Sequence, residues 1–510
     1  MRRVTANFSV FPQTGFVSLL FFAAFLTETI AIAQSGGTLT PTGNLTTPRT
    51  GHHATLLTNG KVLITGGWAG STTWASTELY DPVTGTFTPT GDMSTARYCH
   101  TATLLPNGKV LIAGGQSRLN GTLNDAISAV AATELYDAST KTFSPAGNMT
   151  QPRACHTATL LNTGQVLIAG GSAGDGNMAS AELYDPIAGT FTATGDMTEP
   201  GCESATLLAN GQVLITRSEG YAGVKSVGYE GVNHAELYDP ATGTFTRTGS
   251  MVYLDQGIGP AAVLLPNGRV LMAGGSFWEY GFSAHAELFD PATGAFTPAS
   301  DMTEGLTPES ITLLGDGTVF IAGEGFIHAT QGLCCTSNLE LYDAGTSTFI
   351  SSGNTPAVAG QTATLLPDGN VLISGGWLGY PPASLSLSEI YHPANLVPAP
   401  VLLSLSADEQ GQGAIQHSGT SRIASAIDPA VAGEYLSIYL TGLVDGSVIP
   451  PQVAIGGQVA GVTFFGSVPG YPGLDLINVR MPSGVAPGPA VQVRLTYLSR
   501  PSNVVTIGVR

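Results

Sequence analysis

Two short phrases recur along this chain, and their repetition limits the fold more than any other feature. The first is ATLLPNGKVLIAGG, Ala102 to Gly115, and the second is ELYD, Glu134 to Asp137. Val-Leu-Ile or a close variant begins at Val62, Val110, Val166, Val213, Val270, Val319 and Val371. Glu-Leu/Ile-Tyr/Phe follows at Glu78, Glu134, Glu182, Glu236, Glu287, Glu340 and Glu389. A unit that returns about every 50 residues is one supersecondary element that buries its apolar face only against its neighbours.

Turn chemistry divides each unit into four strands. ATLL and VLI are joined by Asn59-Gly60, Asn107-Gly108, Asn210-Gly211 or Asn267-Gly268, and by Asp316-Gly317 or Asp368-Gly369 in the last two units. Asn-Gly and Asp-Gly accept positive φ at both central positions, which the two-residue hairpin turn requires. A Gly-Gly pair usually ends the second strand. A variable loop leads to ELYD, and Phe87, Phe143, Phe191, Phe245, Phe296 and Phe349 mark the fourth strand. The seventh unit stops at His392 without a fourth strand, whereas Gly37 to Gly43 (GTLTPTG) mirrors Gly85 to Gly91 (GTFTPTG). The spacing therefore predicts a ring of seven blades in which Gly37 to Gly43 completes the blade of Glu389 to Tyr391 and leaves no edge unpaired.

The Gly-Gly pairs, the Tyr-Asp that follows and the Arg-x-x-His before the first strand resemble the kelch superfamily and, within it, the galactose oxidase propeller. The resemblance spans about residues 37 to 395, and Phe stands where kelch units usually carry Trp. Residues 1–33 read as a signal peptide: Arg2 and Arg3, an apolar run from Phe16 to Leu26, then Ala31-Ile32-Ala33. The propeller is assigned to 34–395. Residues 396–510 lose the repeat and show alternating strands such as Tyr435 to Leu440 and Val491 to Leu495, which resemble an immunoglobulin-like β-sandwich of exported bacterial proteins. The expected fold is all-β, a seven-bladed kelch-type propeller closed by its N-terminal strand and followed by that sandwich. The protein is expected to be secreted, periplasmic or at the cell surface, monomeric, and free of membrane insertion once the signal is cleaved.

Acidic residues outnumber basic ones 36 to 18 and no Lys/Arg cluster interrupts them, which argues against a nucleic-acid partner. No nucleophile elbow, zinc-protease helix or phosphate loop is present. Loops from strand two to three share one face with those from strand four to one, and all four tryptophans fall in loops of that face: Trp68, Trp74, Trp278 and Trp377, with Tyr280 and Tyr380 beside them. These aromatics are candidate binding residues for sugar rings or a protein partner, and loop packing is the competing reading.

Arg49-Thr50-Gly51-His52, Arg97-Tyr98-Cys99-His100 and Arg153-Ala154-Cys155-His156 ring the same channel mouth. Arg97, His100, Arg153 and His156 join the ligand-binding candidates; a metal is the alternative for the histidines and cysteines, but none is expected because each group comes from a different blade. Glu203 and Glu309 replace the histidine in blades four and six. Five cysteines leave an odd thiol, and bridges among Cys99, Cys155 and Cys202 would lie near the disulfide limit of about 7 Å; Cys334 and Cys335 are adjacent. The resemblance to galactose oxidase implies a copper site with two tyrosine ligands, one cross-linked to a cysteine. The matching positions here are Gly51, Cys99, Cys155, Cys202, Gly259, Pro308 and Gly360, with no tyrosine among them. The expected function is therefore recognition of carbohydrate or a protein through the aromatic face, without catalytic residues or cofactor. A copper oxidase relative or another carbohydrate-active enzyme is the alternative.

Overall fold

Alternation of apolar and polar residues between tight turns makes each repeat an antiparallel sheet, and the sheets stand around one axis. The computed structural model describes residues 36–118, 127–173, 176–201, 204–216, 234–253, 260–277, 281–327, 334–355, 359–378, 383–406, 410–444 and 446–510. Blade 1 runs outward through His53–Leu56, Val62–Thr65, Thr77–Asp81 and Thr86–Pro89, and the following units repeat that order. The seven-bladed arrangement is as the repeat predicts. Ring closure follows too: Thr38–Pro41 pairs antiparallel with Ser388–His392, with Leu39 opposite Tyr391 and Thr40 opposite Ile390.

The second strands Val62–Thr65, Val110–Ala113, Val166–Ala169 and Val213–Thr216 are buried along their whole length, because both faces of each sheet meet another blade. On the outer strands the Tyr of ELYD stands opposite the Phe of the fourth strand. Tyr80 pairs with Phe87 and Tyr136 with Phe143, their ring centroids 4.8 and 4.9 Å apart. This tilted geometry suits aromatic quadrupoles, with Phe at the position where kelch units usually carry Trp. The hydroxyls of these two tyrosines reach the preceding blade, Tyr80 to Thr42 at 2.9 Å and Tyr136 to Thr90 at 2.8 Å.

From Val401 onward a second all-β unit folds around its own core of Leu436, Ile438, Val453, Ile477, Val493 and Ile507. Its strands run in the order Val401–Leu402, Tyr435–Thr441, Asp475–Arg480, Gln458–Ser467, Gln452–Ile455, Gly488–Tyr497 and Arg500–Pro501, with Gln458–Ser467 pairing to both halves of the sandwich. This sandwich packs against the face of the propeller that carries the Asn-Gly turns. Val448 N donates to Pro266 O at 2.9 Å, and Val459 packs on the Gly164 turn. Val397, in the linker, packs on the Gly315 and Gly369 turns. The Arg-x-x-His segments lie at the opposite face, which the sandwich does not touch among the described residues.

Candidate functional site

Arg97 shows how the open face is held. Its side chain is fully buried; Nη1 donates to Gly114 O and Ala132 O, both at 2.9 Å, and Nη2 pairs with Glu134 at 2.9 Å. Arg49–Glu78 at 2.8 Å and Arg153–Glu182 at 3.1 Å repeat the arrangement in blades 1 and 3. Arg97 and Arg153, candidates for a ligand from sequence, thus spend their guanidinium groups on the ELYD glutamate and on strand-end carbonyls of their own blade. In blades 4 to 7 the arginine position holds Pro200, Gly257, Leu306 and Val358. Glu340 of blade 6 is consequently fully buried without an arginine; the Thr303 hydroxyl donates to it, and desolvation raises its pKa.

The histidines bridge blades. His52 Nε2 lies 3.1 Å from Thr362 Oγ1 of blade 7, His100 Nε2 lies 2.8 Å from Thr65 Oγ1 of blade 1, and His156 Nε2 lies 3.1 Å from Thr101 Oγ1 of blade 2. Burial lowers the pKa of His52 and His156 to about 3 and that of His100 well below its ordinary value. All three are therefore neutral at physiological pH, each facing the preceding blade instead of converging on the axis. The Gly-Gly pair exists to admit them. A Cβ on Gly114 would meet His156 Cε1 at 2.7 Å, and one on Gly115 would meet His100 Cβ at 2.9 Å.

Glu309 behaves differently from the histidines it replaces. Strand Leu306–Leu313 carries a bulge between Pro308 and Ser310 against Gly323 and Ala322, and an extra residue in one strand re-aims its side chain. Glu309 keeps contact with solvent but is crowded by the surrounding protein. Desolvation pushes its pKa up to about 7, the Gly360 N–H that donates to it pulls down, and Glu324 adds repulsion.

Gly360 links this acid to the aromatic residues. Both Gly360 (φ 67°) and its blade 1 equivalent Gly51 (φ 61°) are left-handed. A Cβ on Gly360 would sit 3.5 Å from the Trp377 ring, and one on Gly51 would sit 3.3 Å from Trp68 Nε1. Trp68 and Trp377 follow the Gly-Gly pairs of adjacent blades. Trp377 is registered opposite Ser384, whose hydroxyl donates to Trp68 O at 3.3 Å. Tyr98 tilts against Trp68 with centroids 6.3 Å apart. Glu309, Trp377, Trp68 and Tyr98 thus occupy one arc of the mouth across blades 6, 7, 1 and 2.

Trp74 plays a packing part. It is half-buried, its backbone N–H donates to Gly67 O at 2.8 Å, its carbonyl accepts from Arg97 N at 3.1 Å, and its indole Nε1 is buried without a hydrogen-bond partner. Trp278, Tyr280, Tyr380, Cys202 and Glu203 lie outside the described residues. Cys99 and Cys155 are unbridged, both left-handed, with Cys155 N donating to Cys99 O at 2.8 Å.

Copper is the metal that a galactose-oxidase-like fold implies, and the described residues do not fit it. Among them no group of three His, Cys, Asp or Glu side chains converges. Tyr98, the nearest tyrosine in sequence, is 8% exposed and tilted against Trp68.

The model for the kelch motif matches residues 49–94. Among solved structures, a fungal alcohol oxidase of the AA5 family, in complex with copper, superposes with a TM-score of 0.58 at 17% identity, covering 93% of this chain and all of that one. YjhT superposes with a TM-score of 0.46 at 13% identity over 60% of this chain and 98% of its own. No curated protein matches the sequence. At 17% identity the likeness to the oxidase is one of fold, and with the kelch motif match it is that of a kelch-type propeller.

Proposed function

We propose that this kelch-type propeller is an exported carbohydrate-binding protein whose ligand lies across Trp377 and Trp68, with Glu309 accepting from sugar hydroxyls. The observation that carries the reading is the pairing of Trp68 and Trp377: adjacent blades place an indole at the same position, each over a left-handed glycine. Indole faces stack on the apolar faces of sugar rings, and a carboxylate beside them supplies strong hydrogen bonds and so orientation. A glycan array followed by calorimetry tests this. Trp68→Ala and Trp377→Ala should weaken the same glycan, each by about 0.5–1.5 kcal/mol beyond lost area. If both variants bind every glycan as wild type does, or merely melt earlier with binding per folded molecule unchanged, the rings are loop packing.

A second reading, acid–base catalysis on the bound sugar, is favoured by the Glu309 carboxyl, whose pKa of about 7 suits a proton donor at neutral pH. Glycoside hydrolysis needs a second carboxylate across the bond. Glu309→Gln separates the readings, since it would abolish turnover of a binding glycan in one and leave no turnover to lose in the other.

A further inference from the structure

The axial channel of a propeller is a tube of inner strands, and in this protein the sandwich closes its lower end. Ile449, Pro450, Leu498 and Ser499 form the floor, and inner strands of all seven blades form the wall, leaving a cavity of about 580 Å³. The volume falls within the range of small-molecule sites, about 300–1,000 Å³. Its wall is mostly aliphatic, with Leu104, Leu160, Leu207, Val263 and Ile311 contributing from five blades.

One cation interrupts this apolar lining. Arg494, on strand Gly488–Tyr497 of the sandwich, belongs both to the cavity and to a second space of about 250 Å³ bounded by Pro106, Asn107, Gly456, Gly457 and Gln492. Asn107 and Gln492 are exposed, so the second space leads outward beneath blade 2. Arg494 Nη2 donates to Gln492 Oε1 at 2.9 Å, and Nη1 lies against the Gly108 backbone. Its Nε is buried without a partner, and no carboxylate among the described residues pairs with it. Desolvation lowers its pKa with no neighbouring charge to offset the cost. A half-buried guanidinium without an anion, at the junction of an apolar chamber and a passage to solvent, is complementary to a carboxylate on an apolar body.

We infer that the chamber between propeller and sandwich binds an amphipathic monocarboxylate, its apolar body among the inner-strand leucines and its carboxylate on Arg494. The site is separate from the aromatic face and does not depend on the carbohydrate reading. An aliphatic tail leaves water for a preformed apolar cavity, while the head group meets a fork of donors already in place.

Calorimetric titration of the full chain with laurate, methyl laurate and dodecanol tests the assignment. Laurate should bind more tightly than either neutral analogue. Arg494→Gln should weaken laurate about tenfold or more while leaving dodecanol little changed, because a charged hydrogen bond is lost. Arg494→Lys should retain part of the preference. A diazirine-bearing laurate should label peptides of the inner strands and of the Ile449 segment, a readout that requires no variant to fold. Absence of laurate binding, equal affinity for laurate and methyl laurate, unchanged affinity in Arg494→Gln, or labelling confined to the aromatic face would each overturn the inference.

Discussion

Arg97 and Glu134 meet at 2.9 Å with side chains only 0% and 5% exposed, joining the segment that feeds a blade's innermost strand to that blade's third strand. The pair also gathers two strand-end carbonyls, so it fixes the height of the Gly-Gly turn relative to the loop above. Removing one member strands the other as a buried charge. Arg97→Ala should therefore lower unfolding stability by about 3–5 kcal/mol, as breaking buried pairs generally does. Adding Glu134→Gln to that variant should recover part of the loss. Urea unfolding measures both, and a loss below about 1 kcal/mol would put the pair in the class of exposed salt bridges.

The buried histidines and Glu309 give stability opposite pH dependences. The folded pKa values of His52 and His156, about 3, lie below the unfolded value of 6.5, so their neutral forms stabilise the fold above pH 6.5. That contribution is lost as pH falls toward 3. Glu309, raised from 4.5 to about 7, works the other way: its contribution is present below pH 4.5 and lost as pH rises through 7. Glu309→Gln should accordingly raise the melting temperature relative to wild type at pH 8 and much less at pH 4. His156→Gln should flatten the acid limb. Melting curves from pH 3 to 9 check the signs, and a Glu309→Gln gain confined to acid would contradict the assignment.

The ring and its closure were legible because turn residues and apolar triplets are local signals that recur. Gly37 to Gly43 could be placed in the last blade because it copies the phrase of Gly85 to Gly91. The Arg–Glu pairs were in plain view yet unread. The glutamate occurs in all seven units and the arginine in three, so nothing in the repeat tied one to the other across 37 residues. Arg97 and Arg153 consequently looked available for a ligand. The Glu309 bulge had one signal, Pro308 within a strand, since proline is tolerated in sheets at edges and bulges. Docking of the sandwich left no mark at all: the Asn107-Gly108 turn against Arg494 reads the same as any exposed Asn-Gly turn.

Redox copper chemistry is a sharp discriminant between this chain and the AA5 oxidase whose fold it shares. The positions matching the copper ligands include Gly51, Cys99, Cys155, Pro308 and Gly360, and Tyr98 is tilted against Trp68. Copper-loaded protein should give no tyrosyl radical in electron spin resonance and no peroxide from galactose or primary alcohols. Radical signal or peroxide above that of a Cys202→Ala control would restore the oxidase reading.

Thr38–Pro41 supplies the outermost strand of blade 7 and, beside inner contacts between blades 7 and 1 such as Thr362 with His52, ties the two ends of the repeat array together. Leu39 packs on the cluster of Tyr391, Leu341 and Ile373, Thr42 N donates to Ser388 O at 3.1 Å, and the Thr40 hydroxyl lies 2.7 Å from His392 Nε2. Without the strand, Ser388–His392 becomes an open edge whose unpaired N–H and C=O groups invite pairing with another chain. Deleting residues 36–43 should lower the melting temperature and shift the protein toward aggregates on size exclusion. A synthetic GTLTPTG peptide, supplying the missing strand in trans, should reverse part of both effects. If the deletion variant melts and elutes as wild type does, closure depends on blade-to-blade packing alone, and the terminal strand is an ornament of the ring rather than its clasp.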